Sequence, residues 1–177
     1  MTRLETLVHL LRVHVAADAR EEADRCSMLR LAAELADPLS RNEPSAHFTA
    51  SAFVIDEPCE QACLVSHVKL GRLLQPGGHV EASDASLEAA ALREAREETE
   101  LVLELHPTAP RPFDLDVHRI PDRPGEPGHY HLDVRYLLLG RGEPCDGAAW
   151  YPLGEAGDES VARLAAKARA LRAPAPR

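Results

Sequence analysis

No apolar run in this chain approaches the roughly 20 residues that span a bilayer. The longest, such as YLLL from Tyr136, last only a few residues. Basic residues are scarce too: 20 Lys and Arg against 29 Asp and Glu leave a formal net charge of -9. Without a basic stripe to displace counterions, nucleic acid is argued against as the main partner. A small phosphorylated ligand stays open, because a bound divalent cation supplies the missing positive charge. Cysteine is sparse and scattered, at Cys26, Cys59, Cys63 and Cys145. No second close pair joins Cys59 and Cys63 to complete a four-cysteine zinc site, so these read as thiols of a reducing compartment. His and Arg interrupt the N-terminal MTRLETLVHLLRVHV and no small-residue cleavage site follows, so the expectation is a cytoplasmic protein without a signal peptide. There is no internal repeat.

What is present fits an ordinary globular chain. In 177 residues, 45% hydrophobic and 28% charged, there is room for one domain with a real core and a modest extension. Leu4, Leu7, Val8, Leu11 and Val15 recur at helical spacing. Asp18 is a helix cap followed by acids, and Met28, Leu31, Ala32 and Leu35 form a second stripe. This helical pair, ended by DPLSRNEPSA, is expected to pack on the main domain or on a partner subunit and shows no chemistry of its own. From Phe48 the period shortens to that of strands: FTASAFVID, ACLVSHVKL, LVLEL, FDLDVHRI, HLDVRYLLLG and WYPL. FDLDVHRI reads as half-buried, with Phe113, Leu115 and Val117 alternating with Asp114, Asp116 and His118. ESVARLAAKARAL reads as a closing helix with Val161, Leu164, Ala168 and Leu171 on one face. Strands flanked by helices indicate an α/β or α+β sandwich.

One stretch carries the chemistry. QPGG at residues 75–78 reads as a tight turn, and LREAREETEL after it as a helix. At about 100° per residue, Glu98 lies about 40° to one side of Glu94 and Glu97 about 60° to the other, so the three share a face. Arg93 is four residues from Glu97 and can pair with it. Ala91, Ala95, Thr99 and Val102 fill a neighbouring sector small enough to pack on a sheet. Clustered carboxylates suit Mg²⁺ or Mn²⁺, hard cations that bridge to phosphates. They occur equally as solvated acidic faces.

The order of these residues resembles the Nudix box: a glycine, five residues, a glutamate, seven residues, then R-E-U-x-E-E-x-G-U, with U a bulky aliphatic. Arg93, Glu94, Glu97, Glu98 and Leu101 match it, and Gly78 supplies the leading glycine. Three features depart from it. The stretch from Gly78 to Arg93 is one residue longer, and its first acid is Asp84 with only Ala95 as the inner aliphatic. Glu100 stands where a glycine eases the left-handed exit from a helix, so it must accept strain or leave the helix differently.

The resemblance covers roughly residues 47–155. It implies a Nudix-type α/β/α sandwich with a mixed sheet and an N-terminal helical extension: residues 1–44 as extension, 45–172 as the hydrolase domain and 173–177 as a disordered tail. It also implies hydrolysis of the diphosphate linkage in a small nucleoside diphosphate derivative, such as a nucleotide sugar or a nucleoside triphosphate, by water attack on phosphorus. On that footing Glu94, Glu97 and Glu98 are metal ligands or, for one of them, the base that orients the water. The Gly77 carbonyl is a further ligand, and Arg93 orients Glu97. Glu143, Asp146 and Glu155 are candidates for a base on a later loop.

On HYHLDVRY, His129, His131, Asp133 and Arg135 alternate onto one strand face. That face is either a polar wall toward the diphosphate or base, or a solvent-exposed surface. His118, His131 and Asp133 are the substrate-binding candidates from these strands, Asp114 and Asp116 are weaker ones, and His79 and Lys69 flank the box. Trp150 and Tyr151 read as core or rim aromatics. The competing reading is a ligand-sensing Nudix-like domain without turnover; survival of Glu94, Glu97 and Glu98 favours the enzyme. The N-terminal helices are compatible with a homodimer.

Overall fold

The computed structural model describes residues 1–67, 71–123, 125 and 127–172. The end of the expected strand ACLVSHVKL, with Lys69, and the expected tail at 173–177 lie outside the described residues. Among the described residues the element order is α1 (Arg3–Val13), α2 (Ala19–Glu34), β1 (Ala46–Ile55), β2 (Gln61–His67), β3 (Arg72–Leu74), β4 (Gly77–His79), α3 (Leu87–Thr99), β5 (Val102–Leu105), β6 (Asp114–Ile120), β7 (His129–Arg141), β8 (Ala148–Pro152) and α4 (Glu159–Arg172). The strands join one mixed sheet ordered β3-β2-β1-β7-β5, with β4 paired to β1, β6 to β7 and β8 to β2. With its helices this is the expected α/β architecture. No helix is long and apolar enough to cross a membrane among the described residues.

By its contacts the chain divides into two units. The first comprises Met1–Ser51, Gly78–Ala91 and Pro110–Tyr136. Its α1 starts on a reciprocal cap: the Thr2 hydroxyl accepts from the Glu5 amide, and Glu5 accepts from the Thr2 amide. Leu7 and Leu11 are buried from this helix, and Met28 and Ala32 from α2. Asp18 caps α2 as expected, accepting from the Glu21 amide at 2.8 Å.

Glu21 itself is fully buried, a placement that composition alone disfavours for an acid. It persists because it accepts from the amides of Ala17 at 2.7 Å and Leu115 at 3.1 Å, with His14 Nε2 at 2.9 Å. The helical pair is therefore tied to β6 through polar groups, a role its apolar periodicity does not reveal. The half-buried reading of β6 needs correction for the same reason. Asp114, Leu115 and Asp116 are all buried, since α2 packs on this strand and β7 pairs with it.

The second unit comprises Ala52–Gly77, Leu92–Ala109 and Leu137–Arg177. Here β1 and β2 form the expected hairpin and β2 pairs with β8 from Gln61↔Pro152 to Val65↔Ala148. Gly140 is required by packing: an added Cβ would lie 2.6 Å from Val54 Cγ1 and 3.1 Å from Trp150. Trp150 donates from its indole to the Gly142 carbonyl at 3.1 Å. Val161, Leu164 and Ala168 of α4 are buried, whereas Leu171 is exposed and falls outside the stripe.

Two readings around the box are corrected. Gly77 and Gly78 belong to a short strand, β4, because pairing with β1 extends the backbone there. Val102 is an exposed strand residue, since the helix ends at Thr99.

Candidate functional site

The helix that carries the box, α3, begins after Ser86, whose hydroxyl accepts from the Ala89 amide at 3.1 Å. Its Leu87, Ala90, Ala91, Ala95 and Thr99 are buried. That leaves Glu94, Glu97 and Glu98 on the other side, as helical geometry requires. Arg93 donates to Glu94 at 2.8 Å and to Glu97 at 3.4 Å. Glu98 accepts from the Gly77 amide at 2.9 Å, which joins β4 to the helix. Although the Glu98 side chain keeps some exposure, burial of its carboxyl pushes its pKa up, the Gly77 amide opposes this, and the Glu94 and Glu97 carboxylates add to it. Glu94, Glu97 and Glu98 are oxygen donors, the chemistry that suits a hard divalent cation.

The helix exit answers the question that Glu100 poses. Glu100 adopts φ +57°, the left-handed conformation a glycine takes at no steric cost, while its amide still donates to the Arg96 carbonyl at 2.9 Å. The strain is accepted. Beyond it, the Cys145 amide donates to the Thr99 carbonyl at 3.0 Å, and the Cys145 thiol to the Glu98 carbonyl at 3.3 Å. Glu143 and Asp146 flank this anchored cysteine; they and Glu155 are exposed. Asp84, the first acid of the box, is buried and accepts from the Glu81 amide at 2.8 Å.

The expected polar face of β7 belongs to the first unit; His129, Asp133 and Arg135 are buried and His131 is half-buried. Arg135 donates to Asp133 at 2.8 Å, to Asp116 at 2.8 Å and to Asp114 at 3.3 Å. Burial alone would lower the guanidinium pKa; Asp133, Asp116 and Asp114 hold it above its ordinary value. Asp133 also accepts from Thr49 at 3.1 Å and Ser51 at 2.7 Å, so both its oxygens are engaged inside the protein. Asp116 takes Arg20 at 3.1 Å and His118 Nδ1 at 2.9 Å.

Alongside this group stand five histidines. His131 has ring centroids of His47 at 5.0 Å, His129 at 5.1 Å, His79 at 5.3 Å and His118 at 5.5 Å. Ligand-capable atoms of His47, His79 and His131 all lie within 4.8 Å of one another, the one such triad among the described residues. His79 and His118 thus each stand beside His131. His47 is the member that sequence reasoning missed. A signal existed: His47, Thr49 and Ser51 alternate along a buried strand, placing polar groups on one face of β1, the neighbour of β7.

The model of the NUDIX domain matches residues 46–172. No curated protein sequence matches the chain. Among solved structures, a NUDIX-family hydrolase from Clostridium perfringens is similar at 24% identity and TM-score 0.55, over 71% of this chain and 97% of its own. An Ap4A hydrolase of C. elegans is similar at 16% identity and TM-score 0.53, over 71% of this chain and 98% of its own. A UDP-X diphosphatase is similar at 13% identity and TM-score 0.50, over 96% of this chain and 93% of its own, so that likeness takes in the N-terminal helices. At these identities the structures speak for the fold, and the domain match over most of the chain speaks for descent: the chain belongs to the Nudix family of pyrophosphohydrolases.

Proposed function

We propose that the protein hydrolyses the diphosphate linkage of a small nucleoside diphosphate derivative, a nucleotide sugar or a nucleoside triphosphate, with Mg²⁺ or Mn²⁺ held by Glu94, Glu97, Glu98 and the Gly77 carbonyl. The observation that carries this is the placement of three carboxylates on one face of α3, with Arg93 bonded to Glu94 and Glu97 and the Gly77 amide bonded to Glu98. The cation, when bound, neutralises phosphate oxygens and lowers the pKa of a coordinated water.

The protein's own groups do the positioning. Arg93 holds the Glu94 and Glu97 side chains through charge-assisted bonds, fixing where their remaining lone pairs point. The Gly77 amide fixes Glu98 in the same way and leaves one oxygen for the cation. One of these carboxylates, or Glu143 or Asp146 beside the anchored Cys145, or Glu155, accepts the proton of the attacking water. Substrate recognition falls to His118, whose side chain is 40% exposed, with His131 beside it and His79 next to His131, while Asp133, its oxygens filled by protein donors, supports the strand behind them.

Two structures of similar fold carry names of this chemistry: an Ap4A hydrolase and a UDP-X diphosphatase. They support a nucleotide derivative as substrate class. The same reading takes residues 45–172 as the catalytic domain, residues 1–44 as an extension that supports a homodimer, and the cytoplasm as the location. The test is a panel of nucleotide sugars, dinucleoside polyphosphates and nucleoside triphosphates with Mg²⁺ or Mn²⁺ and product identification. Release of a nucleoside monophosphate supports the proposal; binding without turnover across the panel moves the protein to the ligand-sensing reading.

A further inference from the structure

We propose that His47, His79, His129 and His131 form a second metal site, an all-imidazole centre for a divalent ion of the zinc class, chemically separate from the carboxylates of α3. All four side chains belong to the first unit, on β1, β4 and β7. In a tetrahedral zinc site the metal–nitrogen bond is about 2.0–2.1 Å, which separates neighbouring ligand nitrogens by about 3.3–3.4 Å and imidazole centroids by roughly 5 Å. Here His129 Nε2 and His131 Nε2 are 3.3 Å apart. The centroid separations are 5.0 Å for His47–His79, 4.9 Å for His47–His129, 5.0 Å for His47–His131, 5.3 Å for His79–His131 and 5.1 Å for His129–His131. Five of the six edges of a tetrahedron of rings therefore have the right length. The nitrogens of the His47, His79 and His131 triad, within 4.8 Å of one another, need only side-chain rotation to close on an ion.

The tautomers point the same way. His129 Nδ1 donates to the Pro127 carbonyl at 3.0 Å, and His47 Nδ1 to the Glu43 carbonyl at 3.3 Å. Each bond fixes the proton on Nδ1 and so makes Nε2 the nitrogen that would coordinate, the arrangement metal-bound histidines show. Imidazole donors select zinc, nickel, cobalt or copper over magnesium, whereas the carboxylates select the reverse. The two sites would not compete for one ion.

The experiment is a titration of the metal-stripped full chain with Co²⁺ in excess Mg²⁺, following the visible ligand-field bands, with Zn²⁺ then added as competitor. Tetrahedral bands that saturate at one equivalent, and that Zn²⁺ abolishes, are expected. His131→Ala should weaken Co²⁺ at least tenfold, and Glu98→Gln should leave the titration unchanged. Absence of bands in the wild-type chain overturns the proposal. So does loss of Co²⁺ binding in Glu98→Gln with retention in His131→Ala, which would put the ion on α3. Where circular dichroism shows His131→Ala unfolded, His79→Ala on the short strand β4 reads the same loss. Because the readout is binding in the presence of Mg²⁺, failure here is distinguishable from failure of the hydrolase reading, which only turnover reports.

Discussion

Arg93 stands with Glu94, Glu97 and Glu98 on a helix; Arg135 stands with Asp114, Asp116 and Asp133 on two paired strands. Each group has one guanidinium and three carboxylates, yet their surroundings differ in every respect. Arg135 is 2% exposed and donates to all three aspartates, and Thr49, Ser51, Arg20 and His118 supply further partners to those acids. Around Arg93 the side chains reach solvent, Glu97 is 60% exposed, and Glu98 is held by a backbone amide. Charge count alone therefore does not assign a role. A group whose oxygens are filled by protein donors is architecture, and the group whose carboxylates stand toward solvent is the one proposed to take a cation.

The largest effect should come from breaking the filled group. Arg135→Met leaves three buried carboxylates facing one another and should cost about 3–5 kcal/mol of stability, a large part of what a domain has. Urea unfolding measures it, and added Mg²⁺ should not restore the loss. Next, Glu98→Gln should lower Mg²⁺-dependent turnover about a thousandfold, since a metal site supplies several kcal/mol and each 1.36 kcal/mol is about tenfold. Its circular dichroism should match the wild-type chain. Mg²⁺ should raise the melting temperature of the wild type and not of this variant; equal shifts would place the cation elsewhere.

Arg93→Lys should act more mildly, because lysine keeps the charge and loses the planar fork that holds two glutamates. A fall of roughly 10- to 100-fold in activity, with unchanged unfolding, is expected. An equal loss of stability would make Arg93 a second Arg135. The smallest effect is Glu100→Gly. Relief of about 1–2 kcal/mol of left-handed strain, offset by about 0.4–1 kcal/mol from a freer unfolded chain, should leave a net gain near 0.5–1 kcal/mol. Thermal unfolding of the two chains decides it.

The helix group was legible in the sequence because its members fall within six residues and helical geometry alone brings them together. Asp18 was legible on the same local grounds. The strand group was only half legible. Alternation placed Asp133 and Arg135 on one face, but the partners Asp114, Asp116, Thr49 and Ser51 arrive from other strands, and only topology decides that β1 and β6 flank β7. The imidazole cluster shows the same limit, since His47 and His131 meet only because their strands are neighbours. β4 escaped notice because two glycines carry no strand pattern, and pairing supplied what the residues lacked.

Glu21 has a practical consequence for anyone shortening this chain. The segment recognisable by descent begins at residue 46, but the Leu115 amide of β6 is held by a carboxylate 94 positions earlier, and Asp116 by Arg20. A protein cut back to 46–172 would keep the family signature and lose those two anchors of β6, together with the apolar cover of Leu7, Leu11 and Met28. The span that carries the family signature and the span that closes the core around β6 are different lengths of the same polypeptide.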